Sequence, residues 1–215
     1  MKKICANCGH VCDIDSPKVR DLSDRLSGAS KLYYDLWNFD IERCPNCNYS
    51  SMDISKKDNI KLNEYKMHAL LGDKVINELD ECRPNQIFSY LLASIYYEEL
   101  GDTLTQAKCL LQAGDWMFFE LPYFIDEFLD EDDRESIEFY HNYANKFYKE
   151  AVNLLEKYLE KNQDDYKAKL LLAGVLQDME GVDKFKSHTI LRSIDESKLS
   201  SDEKEIYNFL REDIE

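Results

Sequence analysis

Four cysteines stand in two pairs, Cys5-Ala6-Asn7-Cys8 and Cys44-Pro45-Asn46-Cys47, and paired thiolates at this spacing are metal ligands. A C-x-x-C turn carries both sulfurs to one side of a short knuckle. Two facing knuckles then supply the tetrahedral sulfur set that Zn²⁺ takes at about 2.3 Å per bond. Gly9 follows the first pair and Asn48 the second. Both residue types tolerate the positive φ by which backbone N–H groups turn toward the sulfurs. Pro45 pre-sets φ for its turn. With Cys5, Cys8, Cys44 and Cys47 all coordinating, no position is left for water, so the expected Zn²⁺ is structural and not catalytic.

Rival uses of the same residues fit less well. A redox C-x-x-C belongs at a helix N-terminus in a thioredoxin-like βαβ unit, and no such pattern surrounds either pair. Haem attachment needs C-x-x-C-H, whereas Gly9 displaces His10 from that position. Cys12 and His10 lie close in sequence, and exchange of either for one of the four ligands stays open. Cys82 and Cys109 sit in helical patterns and read as small buried apolar residues. His10, His68, His141 and His188 are scattered without ligand spacing. There is no phosphate-cradling glycine loop, H-E-x-x-H helix or G-x-S-x-G elbow, so the chain reads as a non-enzyme.

The two pairs are separated by 35 residues, more than the roughly 15–20 of a common zinc ribbon. Within that interval Leu32–Ile41 is aromatic and β-compatible and predicts a strand into the second knuckle. Ser16–Ser30 is polar and reads as an extended insertion or short helix. From residue 58 the pattern turns helical, with helices predicted near 58–80, 84–100, 103–121, 134–161, 164–180, 183–194 and 201–213. Ile137, Tyr140, Ala144, Phe147, Ala151, Leu154 and Tyr158 step by three and four along one helix face. Tyr166, Leu170, Ala173 and Leu176 do the same on the next, across the turn Lys161–Asp164. Pro84 suits a helix start, Gly101 and Gly181 suit stops, and Thr103 with Gln106 and Ser200 with Glu203 read as capping boxes.

Composition agrees with a mostly α chain. Of 215 residues, 44% are hydrophobic, which supports a core, and only 7 Gly and 4 Pro argue against turn-rich β folds. Residues 1–57 carry nine basic and eight acidic side chains, and the remainder carries 18 against 35, so the net charge of −16 resides beyond residue 57. The shift coincides with the polar stretch Ser50–Asp58 and places a module boundary between 57 and 58. An acidic chain without a basic stripe disfavours nucleic acid. Neither a signal peptide nor a membrane span is evident, and the cysteine usage suits the cytoplasm.

Tyr90–Asp102, followed by Ala107 and Ala113, resembles a tetratricopeptide repeat, and Leu171–Gly174 with Gly181 and Phe185 does so more loosely. The whole predicts a four-cysteine zinc ribbon over residues 1–57, followed over 58–215 by an irregular TPR-like array of antiparallel hairpins. The N-terminal pattern C-x-x-C-G, Val19-Arg20, Leu-Tyr-Tyr-Asp-Leu-Trp and Cys-Pro-x-Cys-x-Tyr-Ser-Ser resembles the bacterial proteins grouped as domain-of-unknown-function family 2225. Members look like a zinc ribbon fused to TPR-like helices. Their second knuckle usually carries Gly where Asn48 stands here. The resemblance implies zinc ligands at Cys5, Cys8, Cys44 and Cys47 and implies no activity.

The most aromatic window is Trp116–Ile125, followed by an acidic run from Asp126 to Asp133. Trp116, Phe118, Phe119 and Tyr123 could line a groove with an acidic rim that accepts a basic or amphipathic peptide. The plainer and favoured reading of the same window is a core helix end before a solvated loop whose carboxylates suit the next helix N-terminus. Calcium is disfavoured because the D-x-D-x-D-G order is missing. The functional expectation is a non-enzymatic protein-interaction scaffold, with a nucleic-acid-associated or transcription-linked zinc ribbon as the alternative.

Overall fold

The computed structural model describes residues 2–14, 41–72, 85–120, 134–179 and 184–212. They fall in two compact units, described residues up to Ala151 in the first and those from Val152 in the second. The composition shift at residue 57 therefore marks a change from strands to helices, while the division by contacts falls within a long helix.

The first unit begins with two hairpins of minimal length. Strands β1 (Lys2–Ile4) and β2 (Val11–Asp13) pair antiparallel with Lys3 opposite Cys12 and Ile4 opposite Val11. Strands β3 (Glu42–Arg43) and β4 (Ser50–Ser51) pair with Arg43 opposite Ser50. Hairpins this short are not stable alone and need cross-links. One is ionic: Lys3 Nζ lies 2.6 Å from Glu42 and 3.1 Å from Asp53, tying the two hairpins together. Another is backbone, Ala6 N to Ile54 O at 2.8 Å, with the Ile54 side chain fully buried. The strand expected over Leu32–Ile41 lies outside the described residues apart from Ile41, which is buried ahead of β3. The insertion at 16–30 also lies outside them.

The polar stretch 50–58 belongs to this module, because Ser50, Ser51 and Ile54 are buried. The helix predicted from 58 starts later, as α1 (Glu64–Leu71), because Asn63 caps it through Oδ1 accepting from Lys66 N at 3.0 Å. Helix α2 (Asn85–Leu100) is buried along Ile87–Tyr97 because it packs on α3 (Thr103–Asp115) and on β4. The stop at Gly101 is a Schellman motif: φ is +74°, Gly101 N donates to Glu98 O and Asp102 N to Tyr97 O, both at 3.0 Å. The cap of α3 is Asp102 and not Thr103. Its carboxylate accepts from Thr105 N at 3.0 Å, and Gln106, expected to close a capping box, is buried instead.

At its end α3 widens into a π-turn, Trp116–Glu120, before the undescribed residues 121–133. Beside it runs α4 (Arg134–Lys161), a helix of 28 residues. A Cβ on Gly114 would meet the Tyr148 ring at 2.7 Å, so glycine permits this close approach. Tyr148 Oη donates to buried Asp115 Oδ1 at 2.7 Å. The buried stripe of α4 is Tyr140, Ala144, Tyr148, Ala151, Val152 and Leu155. Phe147, Leu154 and Tyr158 of the predicted face are only half-buried. A strict three-four alternation repeats every 3.5 residues and drifts off a straight helix of 3.6, which moves burial one position along.

In the second unit, α5 (Tyr166–Asp178) is buried on nearly every side between Ala168 and Leu176, with α6 (Lys184–Arg192) and α7 (Ser201–Glu212) packed against it. Asp165 caps α5 by accepting from Ala168 N at 3.0 Å, and Tyr158 Oη donates to the same carboxylate. Ser187 Oγ donates to Ala173 O at 2.9 Å where α6 meets α5. The capping box of α7 forms as expected, Ser200 N to Glu203 Oε2 at 2.7 Å and Glu203 N to Ser200 Oγ at 3.3 Å. Pro84 and Gly181 lie outside the described residues. The seven α-helices and the small strand region make the described chain mostly α. Among the described residues no helix is long and apolar enough to cross a membrane.

Candidate metal centre

The two cysteine pairs build the same backbone knuckle twice. Cys5 N donates to His10 O at 2.9 Å and Gly9 N to Cys5 O at 2.8 Å. In the second knuckle Cys44 N donates to Tyr49 O and Asn48 N to Cys44 O, both at 2.9 Å. Adding 39 to each number of the first knuckle yields the second. Gly9 and Asn48 occupy the same left-handed position, φ +74° and +59°, as their residue types led one to expect.

This repetition brings four sulfurs together. Those of Cys5, Cys8, Cys44 and Cys47 all lie within 4.8 Å of one another. Cys5 and Cys47 approach to 3.7 Å, as do Cys8 and Cys44. A tetrahedral ion with metal–sulfur bonds of about 2.3 Å requires neighbouring sulfurs about 3.8 Å apart. Two of the sulfur pairs already stand at that spacing, and the set as a whole could hold a four-coordinate metal ion.

Two asparagines complete the arrangement. Asn7 Nδ2 donates to Cys47 Sγ at 3.3 Å, and Asn46 Nδ2 donates to Cys8 Sγ at 3.5 Å. Each knuckle thus lends a donor to the other knuckle's second cysteine. Lys57 Nζ in turn bonds Asn7 Oδ1, which holds that amide with its NH₂ toward sulfur. Burial differs across the set, with Cys5 and Cys44 buried, Cys47 half-buried and Cys8 exposed. Asn46 beside it holds the Cys8 thiol down to about 6, and burial pushes the Cys5 thiol up to about 12. A coordinating cation overrides the effect of burial, because it deprotonates a bound thiol outright.

Of the two further ligands weighed from sequence, only Cys12 adjoins the cluster. It is buried, and its thiol donates to Cys44 Sγ at 3.6 Å. Burial pushes it up to about 11. His10 is exposed and contributes its backbone carbonyl instead. Asn7, Asn46 and Lys57 were not singled out from the sequence. The one available signal was the Asn shared by C-A-N-C and C-P-N-C. Beside the centre lies a cleft of 750 Å³ whose walls include Asn7, Asn46, Cys47, Lys57 and His68.

No family model, no curated protein and no solved structure matches this chain. The resemblance described above rests on its motifs alone.

The aromatic window is divided. Met117 is buried, whereas Trp116 and Phe118 are half-buried. The Phe118 ring stacks on His141, centroids 4.3 Å apart and planes 18° from parallel. Tyr123, the Phe119 side chain and the acidic run lie outside the described residues, as does Cys82. Cys109 is fully buried and its thiol is pushed well up by that burial, which suits a small apolar packing residue.

Proposed function

We propose that this chain is a non-enzymatic interaction protein. A structural Zn²⁺ on Cys5, Cys8, Cys44 and Cys47 fixes an N-terminal ribbon, and TPR-like helical hairpins offer an acidic surface to a basic or amphipathic protein segment. The observation that carries the reading is the four-sulfur set, two of whose pairs stand at tetrahedral spacing. An all-thiolate tetrahedral set suits Zn²⁺ or iron, and Zn²⁺ is favoured for a purely structural role because it is redox-inert. Four protein donors leave no coordination position for a substrate. Reduced thiolates persist in a cytoplasmic compartment, where we place the protein.

The partner class follows from charge and from the aromatic segment. Beyond residue 57 acidic side chains outnumber basic ones 35 to 18. Half-buried Trp116 and Phe118, with Phe119 and Tyr123, form the proposed contact set. The test is titration of a lysine-rich amphipathic peptide, followed by anisotropy. Phe118→Ala is expected to weaken binding about tenfold, the scale of an aromatic anchor. Unchanged affinity in the Trp116→Ala, Phe118→Ala double variant contradicts the proposed surface.

A further inference from the structure

Three sulfurs form a chain of contacts that joins an exposed cysteine to two buried ones. Cys8 is exposed, its Sγ lies 3.7 Å from that of Cys44, and Cys44 Sγ lies 3.6 Å from that of Cys12. Cys44 and Cys12 are both buried. The first two belong to the four-sulfur set, and Cys12 stands outside it. Under the 39-residue offset, position 12 corresponds to Ser51, so only one side of the repeated structure carries this fifth thiol. A four-ligand site has no structural need of it, and Cys12 occupies the position of a thiol free to attack a neighbouring sulfur.

We propose that Cys12 is a resolving thiol: an oxidation begun at Cys8 passes through Cys44 and ends as a Cys12–Cys44 disulfide that opens the metal centre. This rests on the metal-centre reading. The oxidant is a hydroperoxide. The exposed Cys8 sulfur attacks its terminal oxygen, the O–O bond breaks, an alcohol or water leaves, and Cys8 becomes a sulfenic acid. The Cys44 sulfur then attacks the Cys8 sulfur, the S–O bond breaks, a disulfide forms, and the hydroxide released takes a proton from solvent and departs as water. Finally the Cys12 sulfur attacks Cys44, the Cys8–Cys44 bond breaks, and Cys8 leaves as a thiol carrying the proton that Cys12 gives up. In sum, the Cys12 thiol and the Cys44 thiolate lose two electrons, and the Cys12 proton ends on Cys8. One O–O bond is reduced to water and an alcohol (a second water when the oxidant is hydrogen peroxide), with two protons drawn from solvent. Each sulfur–sulfur step closes a contact of 3.6 or 3.7 Å to a bond of about 2.05 Å. Once Cys44 is in a disulfide, one of the four thiolate donors is gone and the metal is released.

The experiment treats the full, metal-loaded chain with equimolar hydrogen peroxide. Released metal is read with a chromogenic chelator, and the linkage by peptide mapping under non-reducing conditions. The expected result is metal release together with a Cys12–Cys44 linkage, both reversed by a thiol reductant, while Cys109 stays reduced. Cys12→Ser is expected to bind metal normally before treatment and afterwards to stop at a Cys8–Cys44 linkage or at over-oxidised Cys8. A map of the wild-type chain in which Cys12 remains a free thiol overturns the proposal, and that result needs no variant to fold. A chain that holds no stoichiometric metal before peroxide is added counts against the metal centre instead, and the map still judges the path of oxidation.

Discussion

Asn7 donates its side-chain amide to Cys47 across the two knuckles at 3.3 Å, and Asn46 returns the bond to Cys8 at 3.5 Å. Such bonds can partly neutralise thiolate charge and hold the sulfurs in register, as outer-sphere donors do in metal sites. Replacing either asparagine with alanine is expected to lower metal affinity about 10- to 100-fold while the four cysteines stay in place. Competition against a chelator of known affinity measures this. Equal affinity in wild type and Asn7→Ala, Asn46→Ala would show the amides to be bystanders.

Gly114 lets α3 and α4 approach at the Tyr148 ring. Gly114→Ala is expected to destabilise the chain by about 1–3 kcal/mol, because the new methyl meets an aromatic ring held at the other end by Asp115. Urea unfolding followed by circular dichroism reports the change. A midpoint at or above that of wild type would mean that the helices part at no cost.

The helix cap at α3 separates two neighbouring residues. Asp102→Ala is expected to cost about 1 kcal/mol, since the carboxylate satisfies an orphan N–H, whereas Thr103→Ala should have little effect. Thermal unfolding of the two variants side by side distinguishes them, and the reverse ranking would restore Thr103 as the cap.

Asp53 is a partly buried source of acid sensitivity outside the sulfurs. The Ser55 hydroxyl, then Lys56 and Lys3, hold the Asp53 carboxyl well below the usual carboxylate range. A carboxyl depressed by folding contributes stability that is complete above its unfolded value of about 4 and is lost as pH falls through the folded value. Asp53→Asn is therefore expected to be less stable than wild type at pH 7, with the gap closing as pH falls below about 4. Unfolding midpoints of both proteins across pH 3–7 test this, and a gap independent of pH would contradict it.

What the sequence disclosed was local. The cysteine pairs, the left-handed positions at Gly9 and Asn48, the Gly101 stop and the Ser200–Glu203 box are each specified within a few residues. The cap at Asp102 and the late start of α1 were missed because several residues nearby were chemically able to cap, and only geometry chooses among them. The α4 stripe was displaced for a related reason, since a 3.5-residue alternation and a 3.6-residue helix part company over 28 residues. Contacts such as Asn7 with Cys47, Lys3 with Glu42 and Tyr148 with Asp115 join residues 40, 39 and 33 apart, and a single sequence carries no pattern that pairs them.

The most direct measurement is metal content, by plasma mass spectrometry of the purified chain, alongside its Cys5→Ser and Cys47→Ser variants. The prediction is one zinc per chain in the wild type and clear loss in both variants. Stoichiometric iron, no bound metal, or full zinc occupancy with either cysteine removed would contradict a structural zinc on Cys5, Cys8, Cys44 and Cys47.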